Sequence, residues 1–269
     1  MFSEPIPATR FSEISDDLLA TPAEAPSMLW LVGMDVNGDG VWDSRFNDPT
    51  PHLLASSSRS DDLTDLVGSM VVQVCSANTP KQLQLEFLDM TGNLAAFAES
   101  PLTITYGGGT VADARKWLRA REDELRARSL QLASTEHARL IDQWGNDSNS
   151  DPLPIRVVII NDMEQLILND LQASKHLQTV AEFGRYAGFH IVLLSGSAVL
   201  PVSWESGHLF RHCAGRALNS ERSGSIGDGA DLAAIPDGPH FLYRRLGEGW
   251  VGARVPDMDE AQGWGPRID

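Results

Sequence analysis

The chain has 269 residues, 42% hydrophobic and 22% charged, which suits one large globular domain with a sizeable core. Its formal net charge of −16 disfavours strong DNA binding by this chain alone, because a nucleic-acid surface needs clustered Lys and Arg. No apolar run approaches the roughly 18 residues of a membrane span, and the first residues do not resemble a signal peptide, so we expect a cytoplasmic protein without direct membrane insertion. Two distant cysteines, Cys75 and Cys213, predict buried thiols and no metal site.

The two ends of the chain differ in composition from its middle. Residues 1–27 are polar, acidic and rich in proline, and they predict a flexible N-terminal arm, while residues 256–269 predict an acidic C-terminal tail. Residues 28–255 are expected to form the folded domain. Within it, Met28–Met34 predicts a strand, and the Asn-Gly and Asp-Gly pairs of Asp35–Asp43 predict a hairpin turn.

The stretch Pro51–Val74 predicts a strand, a polar loop and a helix. His52–Ala55 is long enough for a buried strand, and the loop is predicted over Ser56–Asp62. Apolar residues then recur three and four apart on one helical face: Leu63, Leu66, Val67, Met70, Val71 and Val74. This unit carries the phosphate-binding loop in many nucleotide-binding proteins, but the glycines and the lysine of such a loop are missing.

Three carboxylates lie in or just before the first turn of the predicted helix, at Asp61, Asp62 and Asp65. A helix N-terminus attracts anions, so acids there stabilise the helix by about 0.3–1 kcal/mol each and repel a triphosphate. One hypothesis is that the protein's own acids occupy the anion site. The alternative is that they are ordinary helix-start acids in a protein that never bound nucleotide.

Further elements follow the strand–helix alternation of an α/β protein. An apolar strand within Lys81–Gly92 ends in Asp89, and the run Gly107–Gly109 predicts a loop. Thr110–Asp142 predicts a long helix dense in Arg and Glu, whose charges indicate a solvated face or a partner surface. Ile155–Ile160 predicts a core strand, and the Asn161-Asp162 pair after it predicts a cap for the next helix.

Pro51–Val74 resembles the Walker A region of the FtsK/SpoIIIE-like motor ATPases. That family reads P-H-L-L, two small or apolar residues, G-x-x-x-x-G-K-[ST] and an amphipathic helix. In this register the two glycines fall on Ser57 and Asp62, the lysine on Leu63 and the hydroxyl residue on Thr64, so only the hydroxyl is kept. A register shifted by two residues, with the lysine on Asp61, fits no better.

The resemblance continues along most of residues 28–255, and it marks further altered positions. The magnesium-binding Asp and the catalytic Glu of Walker B map onto Asn161 and Asp162. Asp89 stands where the family has Asp-Pro-Lys-Gly, and Ser195-Gly196 replaces the start of its Thr-Gln-Arg-Pro sensor. Arg222 corresponds to a possible subunit-bridging arginine, with a surface loop arginine as the alternative.

The resemblance implies a RecA-like P-loop NTPase fold, an α/β architecture with a mostly parallel central sheet flanked by helices. Four altered sites in one chain imply that ATP hydrolysis has been lost while the fold was kept. No cofactor is expected, with ATP and magnesium bound only if residual affinity survives. The implied function is a pseudo-ATPase module that assembles with itself or with active motor ATPase subunits, as in type VII secretion ATPases of the EccC kind.

Two alternatives belong to other functional classes. One is an active ATP-dependent DNA translocase whose site is completed by a neighbouring subunit, which requires Leu63 to be bypassed. The other is a stand-alone module that binds another ligand or a protein in the old cleft. ATP-dependent oligomers would favour the first, and a basic partner chain would favour the pseudo-ATPase. Recruitment to a membrane would then come from a partner.

Overall fold

The computed structural model describes residues 26–27, 29–35, 40–44, 52–135, 138–144, 152–196, 213, 215–219, 240–244 and 251–255. The predicted C-terminal tail, and the predicted N-terminal arm apart from residues 26–27, lie outside the described residues.

Strands and helices alternate through the middle of the chain. The strands are β1 (Leu29–Met34), β2 (Gly40–Ser44), β3 (Leu53–Ser57), β4 (Leu83–Asp89), β5 (Thr103–Gly108), β6 (Ile155–Asn161), β7 (Phe189–Ser195), β8 (Gly215–Asn219), β9 (His240–Arg244) and β10 (Val251–Arg254). The α-helices are α1 (Ser60–Ala77), α2 (Val111–Ala133), α3 (Met163–Asn169) and α4 (Leu171–Phe183). In the part of the chain that the structure describes, no helix is both long and apolar enough to cross a bilayer.

The described strands form one sheet in the order β2-β1-β10-β9-β8-β3-β7-β6-β4-β5. The six strands from β8 to β5 run parallel to one another, and β9, β10, β1 and β2 extend the sheet in antiparallel fashion. The antiparallel β1–β2 pair confirms the predicted hairpin. The mostly parallel central sheet is also confirmed, and such a sheet places all its strand ends at one edge, where ligand sites form.

Helices cover both faces of the parallel part, so the domain has three layers. The predicted apolar face of α1 is buried in full and packs in one core cluster with β4 and β6: Leu63, Leu66, Val67, Met70, Val71 and Val74. Burial of each such side chain contributes about 1.5–3 kcal/mol. On the opposite face α2, α3 and α4 enclose a second cluster around Leu118, Leu177 and Phe189. Both cysteines are buried thiols, as predicted.

The charged face of α2 is not fully solvated, contrary to one of the sequence expectations. Glu86 of β4 is 0% exposed, and its carboxylate contacts Arg121 Nε at 2.6 Å and Arg156 Nη1 at 3.5 Å. Glu124 pairs with the same arginines and, at 2.9 Å, with the buried Arg128. Because these charges neutralise one another, α2 can lie against the sheet with part of its charge buried.

His52, the histidine of the P-H-L-L segment, joins three elements beneath the site. The backbone N–H of Ile191 donates to His52 Nδ1 at 2.9 Å, so the other ring nitrogen carries the proton. That Nε2 donates to the Ala181 carbonyl at 2.8 Å. The ring is fully buried and ties the start of β3 to α4 and β7.

Replacing His52 by leucine is expected to lower the free energy of unfolding by about 2 kcal/mol, because a buried N–H and a buried C=O lose their partner. His52→Gln keeps one polar atom within reach and is expected to lose about half as much. Urea denaturation of both variants beside the wild-type protein measures the difference. Equal losses would show that the ring acts by volume and not by its two hydrogen bonds.

Candidate functional site

A cleft of about 550 Å³ lies at the carboxyl ends of the parallel strands β3, β4, β6 and β7. Loops and helix starts that follow these strands supply its walls: Ser58, Ser60, Leu63, Thr91, Asn93, Asn161, Asp162, Glu164 and Gly196. This is the place where α/β sheets bind ligands, beyond the ends of adjacent strands. The fold therefore brings four of the sequence-predicted residues together around one cleft: Leu63, Asn161, Asp162 and Gly196.

The connection between β3 and α1 is two residues long. β3 ends at Ser57 and α1 begins at Ser60, so Ser58 and Arg59 alone join them. The predicted loop over Ser56–Asp62 is wrong, because its first two residues extend the strand and its last three begin the helix. A phosphate-binding loop needs a longer glycine-rich segment whose N–H groups turn towards the anion.

The Asp62 carboxylate contacts the residues on either side of this connection. The Ser57 hydroxyl donates to Asp62 Oδ2 at 3.0 Å, and the Arg59 N–H donates to the Ser57 oxygen at 3.0 Å. Arg59 Nε lies 3.7 Å from Asp62 Oδ1. The Asp62 side chain is 2% exposed, whereas Asp61 beside it is exposed. A carboxylate thus lies in the first turn of α1, where it stabilises the helix.

The side chains at the two positions that follow Asp62 contact the core and the helix backbone. Leu63, in the lysine position, is 3% exposed and belongs to the core cluster under the cleft. The Thr64 hydroxyl donates to the Ser60 carbonyl at 3.1 Å, within the helix and not across the cleft. The hydroxyl that the motif retains is therefore engaged by its own backbone.

Asp89, at the end of β4, is the centre of a polar network behind the cleft. Its oxygens accept six hydrogen bonds of 2.7–3.1 Å, from the N–H groups of Thr91, Gly92 and Leu94, the hydroxyls of Thr91 and Tyr106, and the Asn161 amide. Burial favours a higher pKa, but these hydrogen bonds outweigh it and hold the pKa of Asp89 below its usual range. Burial and the bond to Asp89 raise the pKa of Tyr106 to about 12.

The sequence predicted that the run Gly107–Gly109 is a loop. In the structure its first two glycines end strand β5, so the prediction is wrong for them. Gly108 is the last residue of β5 and pairs with Asp89 of β4. A Cβ atom on Gly108 would lie 1.8 Å from the Asp89 carbonyl oxygen. Glycine is required here by the close approach of two backbones, and no phosphate is needed to explain it.

Asn161 and Asp162 stand at the Walker B position with different roles from those predicted. The Asn161 amide donates to Asp89 Oδ1 at 3.0 Å and to the Thr91 hydroxyl at 2.8 Å. Asp162 is the residue before α3, but its side chain makes no capping hydrogen bond. Its backbone is left-handed, with φ 56° and ψ 52°. The predicted capping role is therefore wrong for Asp162, and both residues line the cleft.

Ser195 is the last residue of β7, and Gly196 follows it. The resemblance places the sensor residues of the motor ATPases at these two positions. Ser195 is fully buried and donates to Glu164 Oε1, while Gly196 reaches the cleft. Sequence reasoning missed Glu164, although an acid in the first turn after a buried strand is a detectable signal. Arg222 lies outside the described residues. Among the residues that the structure describes, no group of three or more His, Cys, Asp or Glu is arranged to hold a metal ion.

Comparison with known proteins supports the fold. No protein-family model and no curated protein sequence matches the chain. The cytoplasmic domain of the type VII secretion ATPase EccC of Thermomonospora curvata superimposes with a TM-score of 0.73 at 14% identity, over 91% of this chain and 30% of that one. EssC (ATPases 2 and 3) of Geobacillus thermodenitrificans gives 0.72 at 12% identity, over 94% and 47%.

The conjugation coupling protein TcpA of pCW3, solved as a monomer with ATPγS, gives a TM-score of 0.75 at 14% identity, over 95% of this chain and 72% of that one. The chain thus spans about a third and about a half of the EccC and EssC structures. The chain shares the RecA-like α/β fold of these three structures, as the resemblance to FtsK/SpoIIIE-like motors implied.

Proposed function

We propose that this chain is a non-catalytic module of the FtsK/SpoIIIE-like type, which acts by assembling with itself or with an active motor ATPase. The observation that carries the proposal is the two-residue connection from β3 to α1, which Asp62 closes from inside. A nucleotide domain needs at this place a loop that surrounds the phosphates and a lysine that contacts them. Here the lysine position is a core leucine.

The charges of the cleft support the same conclusion. The described residues that line it include the carboxylates of Asp162 and Glu164 and no Lys, Arg or His. A triphosphate in the cleft would face these acidic residues, and the first turn of α1 already carries Asp61 and Asp62. Because like charges repel, nucleotide binding there is disfavoured.

The Walker B position adds an independent argument. Asn161 uses its amide to hold Asp89 and Thr91, which is a structural task. A neutral amide is a poor substitute for the carboxylate that helps to hold magnesium in motor ATPases. The altered loop and the altered metal position therefore favour loss of catalysis together.

Assembly is the activity that remains for such a module. EccC is a type VII secretion ATPase, the EssC structure comprises ATPases 2 and 3, and TcpA is a conjugation coupling protein, and all three structures are longer than this chain. The net charge of −16 favours a protein-transport or regulatory setting over DNA pumping. Leu168 and Leu171, at the junction of α3 and α4, are 63% and 69% exposed and are candidates for a protein contact. A cytoplasmic location, with membrane recruitment by a partner, completes the proposal.

Calorimetric titration of ATP and of ADP, each with magnesium, tests the loss of nucleotide binding. The wild-type protein is expected to give no saturable heat up to about 1 mM nucleotide. The double variant Asp62→Gly, Leu63→Lys is also expected to fail, because it restores residues but not the missing loop length. An active ATPase of the same fold, titrated in the same buffer, is the positive control.

Micromolar ATP binding by the wild-type protein would contradict the proposal. It would reopen the alternative of an active DNA translocase whose site is completed by a neighbouring subunit. Binding by the double variant alone would instead show that residue identity, and not loop length, removed the nucleotide.

A further inference from the structure

We infer that the outer edge of β5 (Thr103–Gly108) binds an extended segment of a partner protein as an additional strand of the sheet. The partner segment is uncharged in its centre and carries Lys or Arg at its ends. The inference rests on the proposed function, in which the module acts by assembly, and it names the kind of segment that the module binds. The position, composition and anchoring of β5, and the charges beside it, support this assignment.

Strand β5 lies at one end of the sheet. Among the described strands it pairs with β4 alone, whereas every strand between the two ends of the sheet has two neighbours. A strand in this position has main-chain N–H and C=O groups that its own sheet does not use, and an extended segment of another chain can pair with them. The outer side of β5 is therefore suited to strand addition.

The composition of β5 lacks the residues that protect an edge. Natural sheets discourage pairing at an edge with Lys, with Pro or with charges that point inwards. Strand β2, at the other end of the sheet, contains the buried Asp43, whereas β5 reads Thr-Ile-Thr-Tyr-Gly-Gly without charge or proline. A register shift leaves Ile104 without a partner in β4, but Thr105–Gly108 pair regularly with Glu86–Asp89. This regular part is the template for a further strand.

The inner side of β5 is firmly held. The Tyr106 hydroxyl donates to Asp89 Oδ2 at 2.8 Å, and the Thr103 hydroxyl donates to the Phe97 carbonyl at 2.8 Å. Gly108 lies so close to β4 that a Cβ atom there would be 1.8 Å from the Asp89 carbonyl oxygen. A strand that is fixed in this way is preorganised, so little ordering of β5 is needed when another strand pairs with it.

Solvent exposure indicates what the centre of the partner segment should be. Ile104 is 44% exposed, and Thr105, Tyr106 and Gly107 are half-buried, whereas all residues of the central strand β3 are buried. An added strand with uncharged, β-branched side chains would cover this apolar area and pack against its cross-strand neighbours. A charged centre would instead have to be placed beside an isoleucine and a tyrosine.

Charge indicates the ends of the partner segment. Glu99 precedes β5 by four residues, Asp113 follows it in the first turn of α2, and both are exposed. The whole chain carries a net charge of −16. Like charge therefore disfavours a second copy of this chain at the edge, whereas Lys or Arg at the ends of a partner segment meets the opposite charge.

Hydrogen exchange of the free, full-length chain tests whether the edge is open. Because the N–H groups of a strand point alternately to its two sides, the β5 amides that face away from β4 are expected to exchange at least about 100-fold faster than those of Phe87 and Leu88 in β4. Protection of every β5 amide at the level of β4 would overturn the inference, since the edge would already be covered.

A synthetic peptide, acetyl-Lys-Val-Thr-Val-Thr-Val-Lys-amide, is the probe for binding. One matched control carries N-methyl groups on the five central residues, which removes their N–H donors, and a second has Glu in place of both Lys residues. NMR titration follows the β5 amides and the indole N–H of Trp117, whose Cδ1 would lie 4.0 Å from a Cβ atom on Gly107. We expect saturable binding with a Kd of about 1 mM or lower, and at least tenfold weaker binding of both controls.

A pair of variants locates the binding edge. Ile104→Lys places at β5 the kind of charge that protects natural edges, and it is expected to weaken peptide binding at least tenfold. Leu130→Lys makes the same change at a residue of α2 that is 74% exposed, and it is expected to change binding less than twofold. A thermal unfolding scan shows that each variant is folded.

Several results would overturn the inference. They are equal binding of the three peptides, unchanged binding to Ile104→Lys, and a dimer of the free protein in light scattering that Ile104→Lys dissociates, which would make a second copy the occupant of the edge. Absence of peptide binding below about 10 mM, with no ATP binding, would overturn this inference and leave the proposed function intact. ATP binding would instead be seen directly in its own titration and would remove the proposed function first.

Discussion

Replacing Arg121 by glutamine is expected to lower the free energy of unfolding by about 3–5 kcal/mol at neutral pH, because it removes the nearest cation from a buried carboxylate. Glu86 is 0% exposed, and Arg121 Nε lies 2.6 Å from its Oε2. Arg156 remains at 3.5 Å on the other oxygen, but it is shared with Glu124. The loss therefore comes mainly from a carboxylate that is left under-compensated in the core.

The loss should depend on pH in a defined direction. Burial raises the pKa of Glu86, although Arg121 and Arg156 both favour the ionised form. Without Arg121 that pKa rises further. A carboxyl group whose pKa is raised by folding contributes stability that is complete below its unfolded pKa and is lost as the pH rises through the folded pKa. The deficit of Arg121→Gln is thus expected to be small near pH 4 and to grow towards pH 8.

Urea denaturation at several values between about pH 4 and pH 8 measures this dependence. In the double variant Arg121→Gln, Glu86→Gln the carboxylate is absent, so part of the stability should return at neutral pH. Arg119→Gln, at an exposed position of the same helix, is the control and is expected to stay within about 0.5 kcal/mol of the wild-type protein. A deficit that is constant with pH, or a double variant that is less stable than Arg121→Gln, would contradict the proposed role of Glu86.

The sequence alone predicted most of the architecture, because regular elements follow from local patterns. Spacing of three and four residues marked the buried face of α1, and the apolar run Ile155–Ile160 marked β6. The strand–helix alternation indicated a parallel sheet, and the Asn-Gly and Asp-Gly pairs indicated the β1–β2 hairpin. These signals depend on residues that are close in sequence, so the elements that they predict do not depend on tertiary contacts.

The details that decide the chemistry could not be predicted in the same way. Ser60, Asp61 and Asp62 are equally typical of a polar loop and of a first helical turn, so the length of the connection before α1 was overestimated. The buried charges of α2 depend on Glu86 and Arg156, which come from two other strands. A charged helix is usually solvated, and only the tertiary pairing shows the exception.

The candidate site shows the same limit. Asp89 and Asn161 were marked by the resemblance, but their contact joins residues that are 72 positions apart. Sequence reasoning could not show that the Asn161 amide donates to Asp89 and to Thr91. Glu164 was not predicted, because an acid in the first turn of a helix is common whether or not it lines a cleft. The position of a side chain relative to the cleft is a tertiary property.

Replacing Asp89 by asparagine is expected to lower the free energy of unfolding by about 3–5 kcal/mol. The carboxylate accepts six hydrogen bonds, and three of their donors are backbone N–H groups of the turn after β4. Hydrogen bonds to a charged acceptor contribute about 1.5–3 kcal/mol each and are not additive. Asparagine also places an NH₂ group against these donors, so at least one buried donor loses its partner.

The pH dependence of Asp89→Asn should be opposite to that of Arg121→Gln. Hydrogen bonds that outweigh burial lower the folded-state pKa of Asp89, so its contribution is complete above the unfolded pKa of about 3.9 and is lost as the pH falls through the folded pKa. The difference between wild-type and Asp89→Asn protein is therefore expected to be constant from about pH 5 to pH 7 and to shrink towards pH 2.

Guanidinium chloride denaturation over about pH 2–7 measures this difference, with Asp123→Asn as the exposed control. Unchanged stability, or a difference that grows on acidification, would show that the network around Asp89 does not hold this end of the sheet together.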